Sequence, residues 1–270
     1  MLTIGSSSEI LRHFSLQDAA KMLADIGYDT IEIWMGHFFQ SGLQPKEVQQ
    51  LMVELNLNYQ VHADVRDINL TSSNKGIREE SLRQTLETIE IVSEMDARAL
   101  TLHPGRMSSS KDRPEDFWPV QVEAFEQIAE HAEKHHVLVG VENMEKRPKE
   151  FVLLNEDVTR LIGSVNSSHL GLTLDLAHYH SVGDVESFVQ SIEVPIVNVH
   201  ISQAASEKMH LPFETDANDT ISFADVLPTV ARKYEGPLII ESYVYGKEEE
   251  MVRKNFQWLK GCIETCKLNV

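Results

Sequence analysis

Six residues of metal-ligand type fall at the ends of apolar segments. They are His62 in LNYQVHAD, His103 in RALTLHPG, Glu142 in VLVGVENM, Asp175 in LGLTLDLAH, His200 in IVNVHISQ and Glu241 in PLIIESY. They follow one another at intervals of 25 to 41 residues. A single His or acid at a strand end is commonly a hydrogen-bonded core residue or a loop cap; six in succession is a different observation. Three carboxylates gathered in one buried place repel one another and lose their hydration. A divalent cation relieves both costs, because it takes deprotonated carboxylates and neutral imidazoles. The mixed nitrogen and oxygen set suits Zn, Mn, Fe or Co better than Ca, and Zn is the first expectation. His178, three residues after Asp175, and His210, in the long segment after His200, can reach the same point. A structural ion would have a closed shell, usually with thiolates; no cysteine lies near these positions. The remaining histidines have no such placement, and His131, His135 and His136 read as solvent-facing at a helix end.

Residues this far apart meet only if regular elements bring them together. Apolar segments read as strands at Leu2–Gly5, Thr30–Trp34, Tyr59–His62, Arg98–His103, Val137–Glu142, Leu170–Asp175, Ile196–Ile201 and Leu238–Glu241. Helix patterns lie between them. Ser15 caps LQDAAKMLADI, which Gly27 ends, and Pro45 opens the next helix. Ile77–Met95, Glu115–His135 and Lys247–Cys266 carry apolar residues at a helical period. Eight strand–helix units in 270 residues predict a single α/β domain, a (β/α)8 barrel over residues 1–270. A doubly wound sheet would need a glycine-rich first turn, and TIGSSSE offers one glycine. In a barrel the strand C-termini converge over the axis, where active sites are built. Two long segments, Pro104–Pro114 and Ser202–Thr220, follow strand ends on that face.

Composition narrows the partners. With 24 Lys+Arg against 42 Asp+Glu the formal charge is −18, which opposes the phosphate neutralisation that duplex DNA binding requires. No apolar run is long enough to span a bilayer, and MLTIGSSSEILRHF lacks a basic-then-apolar leader pattern. The two cysteines, Cys262 and Cys266, sit four apart on one helix face and read as packing thiols. A reducing, cytoplasmic setting is the expectation. Nothing marks a subunit interface.

VHADVRDINLTSSNKGIREESLRQ, followed by LTLHPG, VENM, DLAH, HIS and IIES, resembles the xylose isomerase-like TIM-barrel superfamily, which includes endonuclease IV and sugar-phosphate isomerases and epimerases. The resemblance implies the barrel and the metal site, and it leaves two chemistries open. The endonuclease IV-like pattern implies one ion on His62, His103 and Glu142. It implies a second on Glu142, Asp175, His200 and Glu241, and a third on His178, His210 and an Asp two residues before His210. Lys208 stands at that last position, so a third ion would need Glu207, Glu214 or Asp216. The isomerase and epimerase pattern implies a single ion on Glu142, Asp175, His200 and Glu241, with Glu142 and Glu241 as acid and base.

The histidines at the third and fourth strands favour, as a first expectation, hydrolysis of a phosphodiester in a small molecule. Metal-bound water would be the nucleophile, and Arg66 and Arg106 would grip the phosphate. The alternative is isomerisation or epimerisation of a sugar or sugar phosphate by proton transfer through Glu142 and Glu241. TIEIWMG favours it, with Glu32 and Trp34 as possible sugar contacts.

Overall fold

The computed structural model describes residues 1–205 and 208–266. Eight parallel strands close into a barrel: β1 Leu2–Ser7, β2 Thr30–Trp34, β3 Asn58–His62, β4 Leu100–Leu102, β5 Val139–Glu142, β6 Leu170–Asp175, β7 Ile196–Ile201 and β8 Gly236–Ile240. Their order around the ring is β1-β8-β7-β6-β5-β4-β3-β2, the (β/α)8 arrangement. The strands are buried almost throughout, so they read as near-continuous apolar runs, as parallel strands covered by helices do.

The helices start and stop where local chemistry dictates. Ser15 accepts the Asp18 amide at the head of Leu16–Ile26, and Gly27 closes that helix at φ 105°, a left-handed cap that a side chain would strain. Pro45 occupies the first turn of Pro45–Leu55, where its missing N–H is harmless. The long helices Lys75–Met95, Trp118–His135 and Glu248–Thr265 lie close to the predicted spans. Five shorter ones add to the outer layer: Met35–Ser41, Asn155–Val165, Leu176–His180, Val185–Ser191 and Phe223–Lys233. The segment Ser202–Thr220 is not all loop: Gln203–Ala205 and Lys208–Leu211 pair as a short antiparallel ribbon over the barrel mouth. Cys262 and Cys266 are free thiols. Among the described residues, no helix is long and apolar enough to cross a membrane.

Strand register sets the height of each side chain above the axis. Trp34 pairs with His62, Glu142 with Thr173 and Asp175 with His200. His103 and Glu241 immediately follow β4 and β8. Because strand residues alternate in direction, the residues two places earlier point inward one layer lower. That layer contains Glu32, Gln60, Thr101, Thr173 and Asn198, all buried. Its hydrogen bonds run from Gln60 and Asn198 to Glu32 (2.7 Å each), and between Thr101 and Thr173 (3.0 Å).

Candidate metal centre

The C-terminal mouth holds a cavity of about 420 Å³ lined by His62, His103, Glu142, His178, His210 and Glu241, with Trp34 and Arg66 on its wall. Donor atoms of three groups each fall within 4.8 Å of one another: Glu142, Asp175, His200 and Glu241; His62, His103 and Glu142; Asp175, His178 and His210. All eight expected ligands are therefore brought together. Glu142 joins the first two groups. Its Oε1 lies 3.1 Å from His200 Nδ1, and its Oε2 lies 3.1 Å from His103 Nε2 and 3.5 Å from His62 Nε2.

The donor set fits a divalent cation. Glu142 Oε2, Asp175 Oδ2 and Glu241 Oε1 are buried oxygens without a hydrogen bond, a costly arrangement unless a cation completes it. Asp175 shows how the chain prepares such an atom. Its Oδ1 caps the short helix by accepting the His178 amide at 2.7 Å, which leaves Oδ2 free. Asn143 clamps the same strand end, donating to Asp175 O and accepting from Asp175 N.

The imidazoles are oriented in the same way. His62 Nδ1 is 2.8 Å from Ala63 O, His178 Nδ1 is 2.8 Å from Asn143 O, and His210 Nδ1 is 3.1 Å from Glu241 O. Each backbone carbonyl holds the proton on Nδ1 and turns Nε2 toward the cavity. His62 also stacks on Trp34 at 4.1 Å between ring centroids.

The two glutamates on β5 and β8 are pushed apart in acidity. Burial opposes ionisation of Glu142, but the His200 charge and the His103 and His200 imidazoles beside the carboxylate outweigh it and hold the carboxyl well below its ordinary value. Burial, reinforced by the Glu142 charge, pushes Glu241 up to about 7. Burial works against the charged form of His200, yet the surrounding Glu241, Glu32 and Glu142 raise it well above an ordinary imidazole.

Several expectations change. Glu32, considered for a sugar contact, lies off the cavity wall: it is fully buried in the layer below the candidate ligands, because its place on β2 is two residues before the mouth. Arg106 lies outside the central cavity, in a small side pocket with Glu150 behind His103. Arg66 is at the central wall, but it and Arg12 both pair with Glu9, and its guanidinium lies 5.9 Å from the Trp34 ring centre. Of the acids considered for a third ion, Glu207 lies outside the described residues, while Glu214 and Asp216 are exposed and join none of the donor groups. Asp175 supplies the carboxylate beside His178 and His210 instead. His131 is not simply solvent-facing, since it pairs with Glu90 at 3.1 Å. Sequence reasoning missed Glu9, Met144, Glu145 and Tyr243 on the cavity wall. Met144 and Glu145 follow Glu142 directly and Tyr243 follows Glu241, and that adjacency was the available signal.

Comparison with known proteins bears on the reaction. The uncharacterized protein MJ1311 of Methanocaldococcus jannaschii is 26% identical over 253 residues, 89% of this chain and 84% of that protein. A fructoselysine 3-epimerase of Shigella flexneri is 24% identical and covers 84% of each chain. A probable endonuclease 4 of Malacoplasma penetrans is 25% identical but covers 67% of this chain and 63% of its own length. Among solved structures, a D-tagatose 3-epimerase-like protein superposes with a TM-score of 0.85 at 22% identity, covering 98% of both chains. An L-ribulose 3-epimerase also gives 0.85, at 18% identity and 99% and 96% coverage. At these identities the structural likeness shows the fold. The endonuclease match is the shorter one and the epimerase matches span more of both chains, which favours the epimerase alternative over the hydrolase expectation. The family model described as the xylose isomerase-like TIM barrel matches residues 20–262, in agreement with the barrel, and the chain belongs to that family.

Proposed function

We propose that the protein is a divalent-metal-dependent epimerase or isomerase of a small ketose-type sugar. One observation carries the reading. Two buried glutamates of unequal acidity, Glu142 and Glu241, flank His200 beside unpartnered carboxylate oxygens. Glu142, Asp175, His200 and Glu241 would hold the ion. When bound, it supplies Lewis acidity to the substrate's carbonyl and neighbouring hydroxyl oxygens.

The chain's own residues account for the rest. Glu142 and Glu241 stand on strands three places apart in the ring, so a sugar between them presents one face to each. One carboxylate removes the proton from the carbon beside the ketone, and the C–H electron pair moves toward the carbonyl oxygen. The other carboxyl returns a proton to the opposite face, which inverts that carbon. A group near pH 7 beside one that stays ionised suits this exchange of roles. His62 and His103 offer Nε2 to substrate hydroxyls, Trp34 gives an apolar surface for the sugar's C–H face, and Arg66 stands at the rim for a charged substituent.

The fructoselysine 3-epimerase relative supports this reaction class, and the net charge of −18 supports a small substrate over a nucleic acid. The test is to incubate Mn²⁺-loaded protein with a panel of ketoses in D₂O and follow deuterium entering carbon by NMR. Deuterium at the carbon beside the ketone, lost in Glu142→Gln and Glu241→Gln, is expected. Turnover of phosphodiesters by the same preparation with no deuterium entering any ketose would refute the proposal.

A further inference from the structure

We propose that Glu32 is the positioning residue of the metal centre: it takes the Nε2 proton of His200 and so leaves Nδ1 bare toward the cation. The inference rests on the metal site and is independent of the reaction run there.

His200 differs from its neighbours. His62, His178 and His210 each have Nδ1 on a backbone carbonyl and turn Nε2 to the cavity. His200 is reversed. Its Nδ1 faces Glu142 Oε1 at 3.1 Å, Glu241 Oε2 at 3.4 Å and Asp175 Oδ2 at 3.9 Å, so its proton must sit on Nε2 if it is to ligate with them. No main-chain carbonyl is bonded there. The nearest acceptor atom is Glu32 Oε1, at 2.9 Å.

The layer beneath the ligands keeps that oxygen available. Gln60 Nε2 and Asn198 Nδ2 each donate to Glu32 Oε2 at 2.7 Å, while Oε1 carries no aligned hydrogen bond. Asn198 Nδ2 also lies 3.0 Å from His200 Nε2, but its protons have Glu32 Oε2 and Thr101 Oγ1 as acceptors. The Val199 amide donates to Asn198 Oδ1 at 2.8 Å and fixes which way the amide points. Without the ion, Nδ1 is hydrogen-bonded to Glu142 Oε1 at 3.1 Å; once the ion takes Nδ1, the ring proton must sit on Nε2, and with Asn198 committed as a donor the acceptor within reach is Glu32 Oε1 at 2.9 Å. The Glu32 side chain is 0% exposed, out of contact with bulk solvent.

Glu32→Gln tests this with little change of shape. The new amide oxygen takes the place of Oε2, where Gln60 and Asn198 donate, and its NH₂ then faces His200 Nε2. Two donors cannot share that gap, so the histidine proton moves to Nδ1 and the ligand atom is lost. Partners that orient a metal-bound histidine are commonly worth about 10–100-fold in affinity. A competition titration with Zn²⁺ against a chromogenic chelator is expected to show a loss of that size, with apo-protein melting temperature changed by only a few degrees. The native protein supplies the second readout. In the ¹⁵N spectrum of histidine side chains with Zn²⁺ bound, His200 is expected to carry a slowly exchanging proton on Nε2 and metal on Nδ1. A bare or metal-bound Nε2 in that spectrum would overturn the proposal, as would Zn²⁺ affinity within twofold of native in Glu32→Gln. If the variant does not fold, the native spectrum decides alone.

Discussion

The double substitution His62→Ala/His103→Ala separates the two chemistries this barrel can host. Both imidazoles address Glu142 Oε2, at 3.5 and 3.1 Å, whereas Oε1 of the same carboxylate faces His200 at 3.1 Å. The variant removes two of three donors from the His62–His103–Glu142 group and none from Glu142–Asp175–His200–Glu241. If the protein is a single-metal epimerase, native and variant chains both retain one tightly bound ion. The affinity then falls by no more than about 10–100-fold, the weight of groups that orient a ligand, since no ligand of that ion is lost. Turnover falls for another reason. Two hydrogen bonds to substrate oxygens at about 1 kcal/mol each amount to about 2 kcal/mol, or roughly 30-fold in kcat/KM. The assay is elemental analysis after loading with Mn²⁺ and desalting, alongside epimerisation kinetics on the best ketose. Two ions in the native chain and one in the variant would refute the reasoning, because both histidines would then be ligands and the site would be dinuclear.

Other outcomes follow from the same geometry. Glu142→Gln and Glu241→Gln are each expected to lower epimerisation by about 10²–10⁴-fold, the usual weight of a general acid or base, measured as kcat with the ion saturating. Metal affinity should climb as pH rises toward 7 and then level off, because the ion binds Glu241 only after the proton that burial holds there to about 7 has left; calorimetry in two buffers of different ionisation enthalpy should count at least one proton released at pH 6. Glu150, partly buried beside Arg106, is pushed up to about 7, mainly by burial. Its folded-state value lies above its unfolded one, so its contribution favours folding at low pH and is lost as pH rises through 7. Glu150→Gln should therefore raise the melting temperature by about 2–6 °C at pH 8, an effect of about 1–2 kcal/mol, and leave it unchanged at pH 4.5. Gly105, just after His103, has φ 87°, and an added Cβ would meet Thr71 Oγ1 at 2.8 Å; Gly105→Ala should cost about 1–3 kcal/mol in chemical denaturation.

Much of the barrel was legible because its strands are short apolar runs, six of which end at or beside a His, Asp or Glu. Thr30–Trp34, Leu170–Asp175 and Ile196–Ile201 match their expected bounds. The clustering of the eight candidate ligands was legible too, since each sits at or just beyond a strand end or in the loop above it. Substrate contacts were harder to read. Glu32 and Trp34 are neighbours on one strand and point the same way, yet two residues of register put one in the cavity wall and the other under the ligands. Gln60, Thr101 and Asn198 passed unnoticed for the same reason: a polar residue inside an apolar run gains meaning only when the ring closes and its partners arrive from strands 28 or more residues away. Arg66 and Arg106 were chosen for adjacency to ligand histidines, but adjacency at a strand end does not fix the direction in which a long side chain leaves the loop.

The carbonyl groups behind His62, His178 and His210 bear on how this protein can change over generations. A backbone oxygen is present whatever residue occupies its position, so Ala63, Asn143 and Glu241 can hold those rings in place without their side chains taking part. The loops around the mouth are therefore free to drift in sequence, and to acquire new specificities, without unseating these three histidines. His200 has no such insurance. Its orientation depends on a side chain that a single nucleotide change can remove, so variation should be tolerated broadly around the rim and resisted at position 32.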